Sequence, residues 1–263
     1  MIRYSGSNGI AQLEEFLGMS RSVVGFTGAG ISTESGIPDF RSPDSPWKRG
    51  TPIPFDLFLR SEEARREAWR RKFALDDLYR GAKPNRGHAA LSTLVAGGRM
   101  SAIITQNIDG LHQASGVKPE KVIELHGNGT YAICLSCELR HDLARVRMLF
   151  EETGAAPRCA ACGGIVKSGT ISFGQALPES AMRRARERTE ACDLFLAVGS
   201  SLVVYPAAAF PALAKHRGVR LVILNREPTE LDSIADLVIH GEIGDVLSFI
   251  LERRGPMPKS SIE

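Results

Sequence analysis

The sequence predicts an α/β protein with a parallel, doubly wound sheet and a smaller inserted module. Short β-branched runs recur along the chain, and their apolar residues do not alternate with polar ones, which is typical of strands buried on both faces. Apolar stripes with helical spacing lie between several of these runs, and strands that alternate with helices build parallel sheets. Two long segments interrupt the alternation, and we assign them to the inserted module.

Six runs are predicted to be the strands of the sheet. The runs are Ser22–Thr27, Ala102–Thr105, Val122–Leu125, Leu194–Val198, Arg220–Leu224 and Asp236–Ile239. A stripe of apolar residues with helical spacing precedes the first run, and another precedes the second. These stripes are Ile10, Leu13, Phe16 and Leu17, then Ala89, Leu91, Leu94 and Val95.

The composition excludes several classes of protein. Of 263 residues, 43% are hydrophobic and 24% are charged, which excludes a mainly disordered chain and allows one large domain with an insertion. The net charge is only +3, so no nucleic-acid or membrane partner is predicted. Residues 194–214 carry no charge, but Pro206 and Pro211 interrupt them. A buried strand, a loop and a helix are therefore predicted there rather than a membrane span.

Four of the five cysteines form two C-x-x-C pairs. Cys134 and Cys137 make the first pair, and Cys159 and Cys162 make the second. Each pair places two thiolates on one side of a turn, and two pairs complete a tetrahedral zinc site with no open position for water. The duplicated pair predicts one structural zinc ion, and the alternative is a redox pair or idle thiols.

The remaining cysteine and the N-terminus indicate the compartment. Cys192 precedes a buried strand and is predicted to be a small core residue. The first residues contain no long apolar region behind a basic one, so no secretion signal is predicted. An odd number of cysteines without such a signal favours a reducing, cytoplasmic location.

The breaks in the strand–helix alternation give the predicted module limits. Residues 60–72, within the first of the two interrupting segments, carry charges of both signs, which indicates a solvated helix face. The predicted segments are 1–39, 88–127 and 168–252 for the sheet domain, 40–87 for a helical module and a loop, 128–167 for the zinc-binding module, and 253–263 for a frayed tail.

A glycine-rich segment follows the first predicted strand. Gly28 and Gly30 allow the backbone to approach a phosphate group, and a following helix end favours its negative charge. The usual dinucleotide fingerprint has a third glycine, but Thr33 stands at that position. It also has an acidic residue at the end of the second strand, where this chain has Gln106 and Asn107. The segment therefore favours a nucleotide ligand and disfavours a hydride-transferring dehydrogenase.

Polar side chains follow several predicted strands at one edge of the sheet. The carboxyl ends of parallel strands meet there, and such sheets bind their ligands at that edge. Asp39 and Arg41 are predicted either to face a ligand or to pair with each other, and His88 and His112 are assigned to structure. The residues at the predicted rim are Gln106, Asn107, Asp109, His126, Gly199, Ser200, Ser201, Asn225, Arg226 and Glu227.

Together these segments resemble the sirtuins, the NAD-dependent protein deacylases, from about Ser22 to Leu247. The motifs that carry the resemblance are Gly28-Ala29-Gly30-Ile31-Ser32, Gly36-Ile37-Pro38-Asp39-Phe40-Arg41, Thr105-Gln106-Asn107-Ile108-Asp109, His126-Gly127, the two C-x-x-C pairs, Phe173-Gly174, Gly199-Ser200-Ser201 and Asn225. The resemblance implies a Rossmann-type parallel sheet with a smaller zinc-binding and helical module inserted. It also implies a cleft between them that takes NAD and an acyl-lysine peptide.

The resemblance assigns roles to residues by position. It implies that His126 is the general base and that Asn107 and Asp109 complete the catalytic set. The acyl-lysine substrate would lie beside Thr170, Ile171, Phe173 and Gly174. NAD would be held by a loop with Gly28, Ala29, Gly30, Ser32, Ile37, Pro38, Asp39, Phe40 and Arg41, by Gln106, Asn107, Ile108 and Asp109 around nicotinamide, and by Gly199, Ser200, Ser201, Asn225, Arg226, Glu227 and Ile243 around adenosine.

The implied reaction is NAD-dependent deacylation of protein lysines, of the deacetylase type, with nicotinamide and O-acyl-ADP-ribose as products. The implied partners are acyl-lysine proteins or peptides. A mono-ADP-ribosyltransferase or NAD hydrolase would use the same pocket with another acceptor. A non-catalytic NAD or ADP-ribose sensor predicts binding without turnover, and a zinc-stapled interaction protein predicts no NAD binding.

Overall fold

Two sheets organise the part of the chain that the structure describes. The computed structural model describes residues 2–4, 7–39, 45 and 51–252. The predictions for Phe40, for Arg41 and for the tail 253–263 lie outside the described residues. The strands are β1 (Ile2–Tyr4), β2 (Val23–Thr27), β3 (Met100–Thr105), β4 (Val122–Glu124), β5 (Gly127–Cys134), β6 (Arg140–Asp142), β7 (Val166–Thr170), β8 (Leu194–Val198), β9 (Arg220–Leu224) and β10 (Leu237–Ile239).

The larger sheet is parallel, with the strand order β1-β10-β9-β8-β2-β3-β4. All residues of β2, β8 and β10 are buried, which explains their continuous apolar runs. Each of the six predicted strands agrees with an observed strand to within two residues at either end, so the predicted parallel α/β fold is confirmed. The short edge strand β1 was not predicted.

Helices cover both faces of the larger sheet and pack against the smaller one. Local side chains cap the first turns of three of them. Ser61 accepts a hydrogen bond from the backbone N–H of Ala64, for example, and Asn85 accepts one from that of His88. The helices are α1 (Ser7–Met19), α2 (Phe55–Arg60), α3 (Glu62–Leu78), α4 (Arg86–Ala96), α5 (Leu111–Ala114), α6 (Leu143–Thr153), α7 (Glu179–Ala191), α8 (Ala209–His216), α9 (Ile243–Val246) and α10 (Ser248–Glu252).

Two apolar clusters flank the larger sheet, one on each face. Leu13 of α1 and Leu91 of α4 are buried in one cluster, and Ala185 of α7 and Phe210 of α8 are buried in the other. Within the described residues, no helix combines the length and apolar composition that a membrane crossing requires.

The smaller sheet is antiparallel, with the order β6-β5-β7, and carries its own core. Trp69 and Phe73 of α3 stack with their rings 5.2 Å apart, and Phe73 also contacts Phe150 of α6. Cys134 and Cys159 are buried in the same cluster. The helical segment and the cysteine-bearing segment therefore form one small module, as predicted. The predicted residue limits of the two segments stay predictions.

Strand register brings several loops together at one edge of the larger sheet. Thr27 of β2 pairs with both Thr105 of β3 and Val198 of β8, so these strands end level with one another. Gly199 then approaches the 3-10 helix Ala29–Ser35 backbone to backbone, and Gly30 N donates to Gly199 O at 2.8 Å. A Cβ on Gly199 would lie 2.3 Å from the backbone N of Ile31, so only glycine fits this contact.

Gly199→Ala is expected to lower the free energy of unfolding by about 2–4 kcal/mol, because φ is +63° and the new Cβ would overlap backbone. Gly218 has φ +77° but no atom within 4 Å of its would-be Cβ, so Gly218→Ala serves as the matched control and should cost only about 1–2 kcal/mol. Urea denaturation measures both variants, and equal losses would contradict the packing argument.

Candidate active site

A cavity of about 1360 Å³ opens at the carboxyl edge of the larger sheet, toward the smaller module. Every predicted cofactor, catalytic and substrate residue within the described ranges lines it. The residues come from the segments after β2, β3, β4, β8, β9 and β10, which the level strand ends bring together, and from the end of β7 in the smaller sheet and the loop that follows it. The volume exceeds the roughly 300–1,000 Å³ of ordinary small-molecule sites, so a dinucleotide and a second ligand both fit.

A polar set at the ends of β2 and β3 forms the cavity floor. Asn107 Nδ2 donates to Gly28 O at 3.1 Å and to Ser32 Oγ at 3.3 Å. Ser32 Oγ donates to Asp109 Oδ2 at 2.7 Å, and the other carboxylate oxygen of Asp109 accepts from the backbone N–H of Leu111. These bonds fix the amide, hydroxyl and carboxylate in one geometry.

Gln106 links this floor to the loop after β8. Its backbone N donates to Thr27 O at 3.0 Å, and its side-chain Nε2 donates to Ser200 Oγ at 2.8 Å. The predicted nicotinamide and adenosine sides of the site are therefore joined by a side-chain hydrogen bond.

His126 is half-buried at the same edge and has a defined tautomer. Its Nδ1 lies 2.9 Å from Gln106 O. A carbonyl oxygen only accepts, so Nδ1 carries the proton of the neutral ring and Nε2 keeps its lone pair. Since His126 lines the cavity, this ring has the form that a general base requires.

The predicted substrate segment lies directly beside His126. Ile171 N donates to His126 O at 2.8 Å, and Thr170 pairs with Gly127 across β7 and β5. Phe173 is 69% exposed at the cavity rim, although its carbonyl accepts a bond from Phe55 N. An extended chain entering here would meet main-chain groups and an exposed ring.

The adenosine side is bordered by an exposed charge pair. Arg226 lies 3.6 Å from Asp39 and 3.9 Å from Glu242, and its side chain is 54% exposed. Asn225 Nδ2 donates to Glu227 O at 2.7 Å, which shapes the turn after β9. Exposed pairs of this kind contribute little to stability, so this contact shows only where the Asp39 loop and the turn after β9 approach each other.

Two residues that contribute to the site were not predicted. Asn85 Nδ2 donates to Ile31 O at 2.7 Å and to Ser35 Oγ at 3.0 Å, which ties α4 to the glycine-rich segment. Lys167 is 3% exposed in the cavity wall, its ammonium donates to Ser168 O and Thr170 O, and burial lowers its pKa to about 8. The capping pattern before α4 was a signal for Asn85, whereas nothing local distinguishes Lys167.

The four paired cysteines gather in the small module, and none of them lines the cavity. Their Sγ atoms all lie within 4.8 Å of one another, with Cys134–Cys162 at 3.5 Å and Cys137–Cys159 at 3.7 Å. Tetrahedral zinc at about 2.3 Å from each sulfur separates the sulfurs by about 3.8 Å, so this donor set fits one structural zinc ion.

Comparison with known proteins agrees with this geometry. Residues 28–206 match the model of the Sir2 family. An NAD-dependent protein deacetylase of Rhodopseudomonas palustris is 58% identical over 247 residues, covering 94% of this chain and 98% of its own.

Two solved structures superpose over most of the chain. One, described as a Sir2–p53 peptide–NAD+ complex, has a TM-score of 0.81 and 38% identity, and covers 92% of this chain and 97% of its own. The other is a Sir2 variant with deacetylated p53 peptide and 3'-O-acetyl-ADP-ribose. It has a TM-score of 0.83 and 36% identity, and covers 93% of this chain and 98% of its own.

Cys159→Ser is expected to reduce the zinc content from one ion per chain to near zero and to unfold or aggregate the protein, because a structural zinc site contributes directly to folding. Cys192→Ser, at the buried cysteine outside the cluster, is the matched control and should keep the ion. Metal analysis of the purified proteins measures both. A folded Cys159→Ser protein without metal and with wild-type stability would refute the structural role.

Acid should destabilise the protein through His112. Burial, and secondly the neighbouring His88, lowers the pKa of His112 from 6.5 to about 3. Between these values the unfolded chain binds the proton and the folded protein does not, so stability falls as the pH decreases through this window.

The expected contribution of His112 approaches about 1.4 kcal/mol per pH unit. His112→Gln cannot titrate, so its unfolding free energy should fall less steeply than that of the wild type between pH 6 and pH 4. Denaturant unfolding at several pH values measures the two slopes, with exposed His216→Gln as control. Parallel slopes for wild type and His112→Gln would contradict the prediction.

Proposed function

The chain belongs to the Sir2 family and is an NAD-dependent protein-lysine deacetylase, and we propose that His126, Asn107 and Asp109 carry its chemistry. The reaction releases nicotinamide and O-acyl-ADP-ribose. The observation that carries the proposed roles is the bond of His126 Nδ1 to Gln106 O, beside an amide and a carboxylate fixed at one edge of the sheet.

NAD is the co-substrate, and when bound it supplies the ADP-ribosyl group that accepts the acyl group as nicotinamide leaves. We propose that the glycine-rich segment and the loop through Asp39, Phe40 and Arg41 hold the pyrophosphate side. Gln106 and Ile108 then border nicotinamide together with the catalytic set. The proposed adenosine residues are Gly199, Ser200, Ser201, Asn225, Arg226, Glu227 and Ile243.

Each proposed catalytic group acts through its observed hydrogen bonds. His126 Nε2 accepts the proton of a ribose hydroxyl, while Nδ1–H stays bonded to Gln106 O and fixes the plane of the ring. Asn107 and Asp109 orient the nicotinamide side, because both are locked to Ser32 and cannot turn away. The reaction needs no strong protein nucleophile, since the acyl oxygen of the substrate attacks the ribose.

Acyl-lysine peptides are the partners that this site accommodates. We propose that the peptide binds in extended form along Thr170–Gly174, where main-chain groups give affinity and the cavity accepts the acyl-lysine side chain. In this arrangement the acyl group would lie close to His126, which precedes the residue that pairs with Thr170.

We propose a cytoplasmic location on chemical grounds. The four-cysteine zinc set requires reduced thiols, and none of the five cysteines forms a disulfide with another. A reducing compartment meets that requirement.

His126→Ala is expected to lower deacetylation at least about 1,000-fold while NAD binding changes less than about threefold, because the base acts after both substrates have bound. The assay incubates the protein with NAD and an acetyl-lysine peptide and identifies all products by mass spectrometry. His216→Ala, at an exposed histidine outside the cavity lining, is the control.

The products distinguish the remaining alternatives. Loss of one acetyl group with formation of acyl-ADP-ribose supports the proposed roles if the His126 variant abolishes both. Nicotinamide release from an unchanged peptide would indicate ADP-ribosyl transfer or NAD hydrolysis. Turnover near the wild-type rate in His126→Ala would refute the assignment of the base.

A further inference from the structure

A buried chain of hydrogen bonds lies behind the cavity floor and ends at Asn107. His112 Nε2 lies 2.8 Å from Thr27 Oγ1, and Thr27 Oγ1 lies 2.8 Å from Thr105 Oγ1. The backbone N–H of Asn107 donates to Thr105 Oγ1 at 3.0 Å. His112, Thr27 and Thr105 are at most 2% exposed, and none of them lines the cavity.

The direction of every bond in this chain is determined. The backbone N–H of Asn107 can only donate, so Thr105 Oγ1 accepts there. At the other end, the buried Nδ1 of His112 has no hydrogen-bond partner among the described residues, and a buried lone pair without a partner costs less than a buried N–H without an acceptor. The proton of the neutral ring is therefore on Nε2, which donates to Thr27 Oγ1, and Thr27 in turn donates to Thr105 Oγ1.

The surroundings of His112 keep this donor unchanged. The ring is buried on α5, and its centroid lies 5.1 Å from that of His88 on α4. Burial and the neighbouring imidazole both disfavour a positive charge, so the neutral ring persists at working pH.

The two histidines near the floor have opposite arrangements. His126 bonds through Nδ1 and leaves Nε2 unprotonated at the cavity, whereas His112 bonds through Nε2 to a buried hydroxyl. His112 cannot reach substrate, and any effect that it has on the reaction passes through Thr27 and Thr105.

We propose that His112 is a positioning residue for deacetylation, whose Nε2–H orients the Thr27 and Thr105 hydroxyls and thereby fixes Asn107 between Gly28 and Ser32. The proposal rests on the proposed function, because it takes Asn107 as part of the catalytic set. Loss of the donor frees the Thr27 hydroxyl to rotate, and the acceptor for the backbone N–H of Asn107 is then no longer held in place.

The test compares two substitutions of His112, one that keeps an N–H donor and one that removes it. His112→Gln places an amide N–H near the former Nε2, and His112→Met fills similar space without a donor. Thr105→Val removes the acceptor for Asn107 without changing side-chain shape. Thr93→Val is the matched control, because Thr93 is exposed on α4 and bonds only its own helix.

His112→Met and Thr105→Val are each expected to lower kcat about tenfold, the effect of one lost hydrogen bond, with the KM for the peptide changed less than about twofold. His112→Gln should keep at least about half of the wild-type kcat, and Thr93→Val should keep all of it. Steady-state kinetics with NAD and an acetyl-lysine peptide, together with melting temperatures, measure the set.

Each contrary outcome has a definite meaning. Wild-type kcat in His112→Met, or equal losses in the Met and Gln variants, would show that the ring only fills space and would overturn the proposal. If His112→Met does not fold, the Thr105→Val variant tests the proposal instead, and an unchanged kcat in that variant would overturn the positioning role.

Asn107→Ala distinguishes failure of the positioning role from failure of the proposed function, because wild-type turnover in that variant would refute the catalytic set itself. An inactive Asn107→Ala with fully active His112→Met and Thr105→Val refutes the positioning role alone.

Discussion

Backbone contact between loops at the carboxyl edge of the larger sheet is the constraint on which the site depends. Strands β2, β3 and β8 end in register, so the segments that follow them share a small volume. Glycines at positions 28, 30 and 199 remove the Cβ atoms that would hold these segments apart. With the backbones in contact, the Ser32 hydroxyl of the segment after β2 bonds directly to the Asn107 amide and the Asp109 carboxylate of the loop after β3.

The four paired cysteines and His126, the proposed base, lie at opposite ends of one strand pair. β5 begins at Gly127, immediately after His126, and ends at Cys134, which carries a zinc-site thiol. Its partner β7 pairs with both ends, through Thr170 and Val166 respectively. A zinc ion held by Cys134 would therefore stabilise the same strand pair that begins beside His126.

Environment, rather than residue type, separates the functions of the two histidines at the floor. A carbonyl at Nδ1 gives His126 a lone pair toward the cavity, and a buried hydroxyl at Nε2 makes His112 a fixed donor. The same side chain is thus suited to act as the proposed base in one place and as the proposed hydrogen-bonded support in the other, because the neighbouring acceptor decides which nitrogen holds the proton.

The sequence by itself determined the strands of the larger sheet, the four zinc-site cysteines and the rim residues, since each depends on local periodicity, on C-x-x-C spacing or on the ends of strands. It did not determine β1, which pairs with β10 more than 200 residues later, nor the contacts of Asn85, Lys167 and His112. Asn85 and His112 acquire their roles from partners distant in the chain, such as Thr27 for His112, whereas Lys167 bonds neighbouring carbonyls and owes its lowered pKa to burial. Only tertiary packing fixes such partners, because burial and hydrogen-bond direction are properties of the folded surroundings and not of the local sequence.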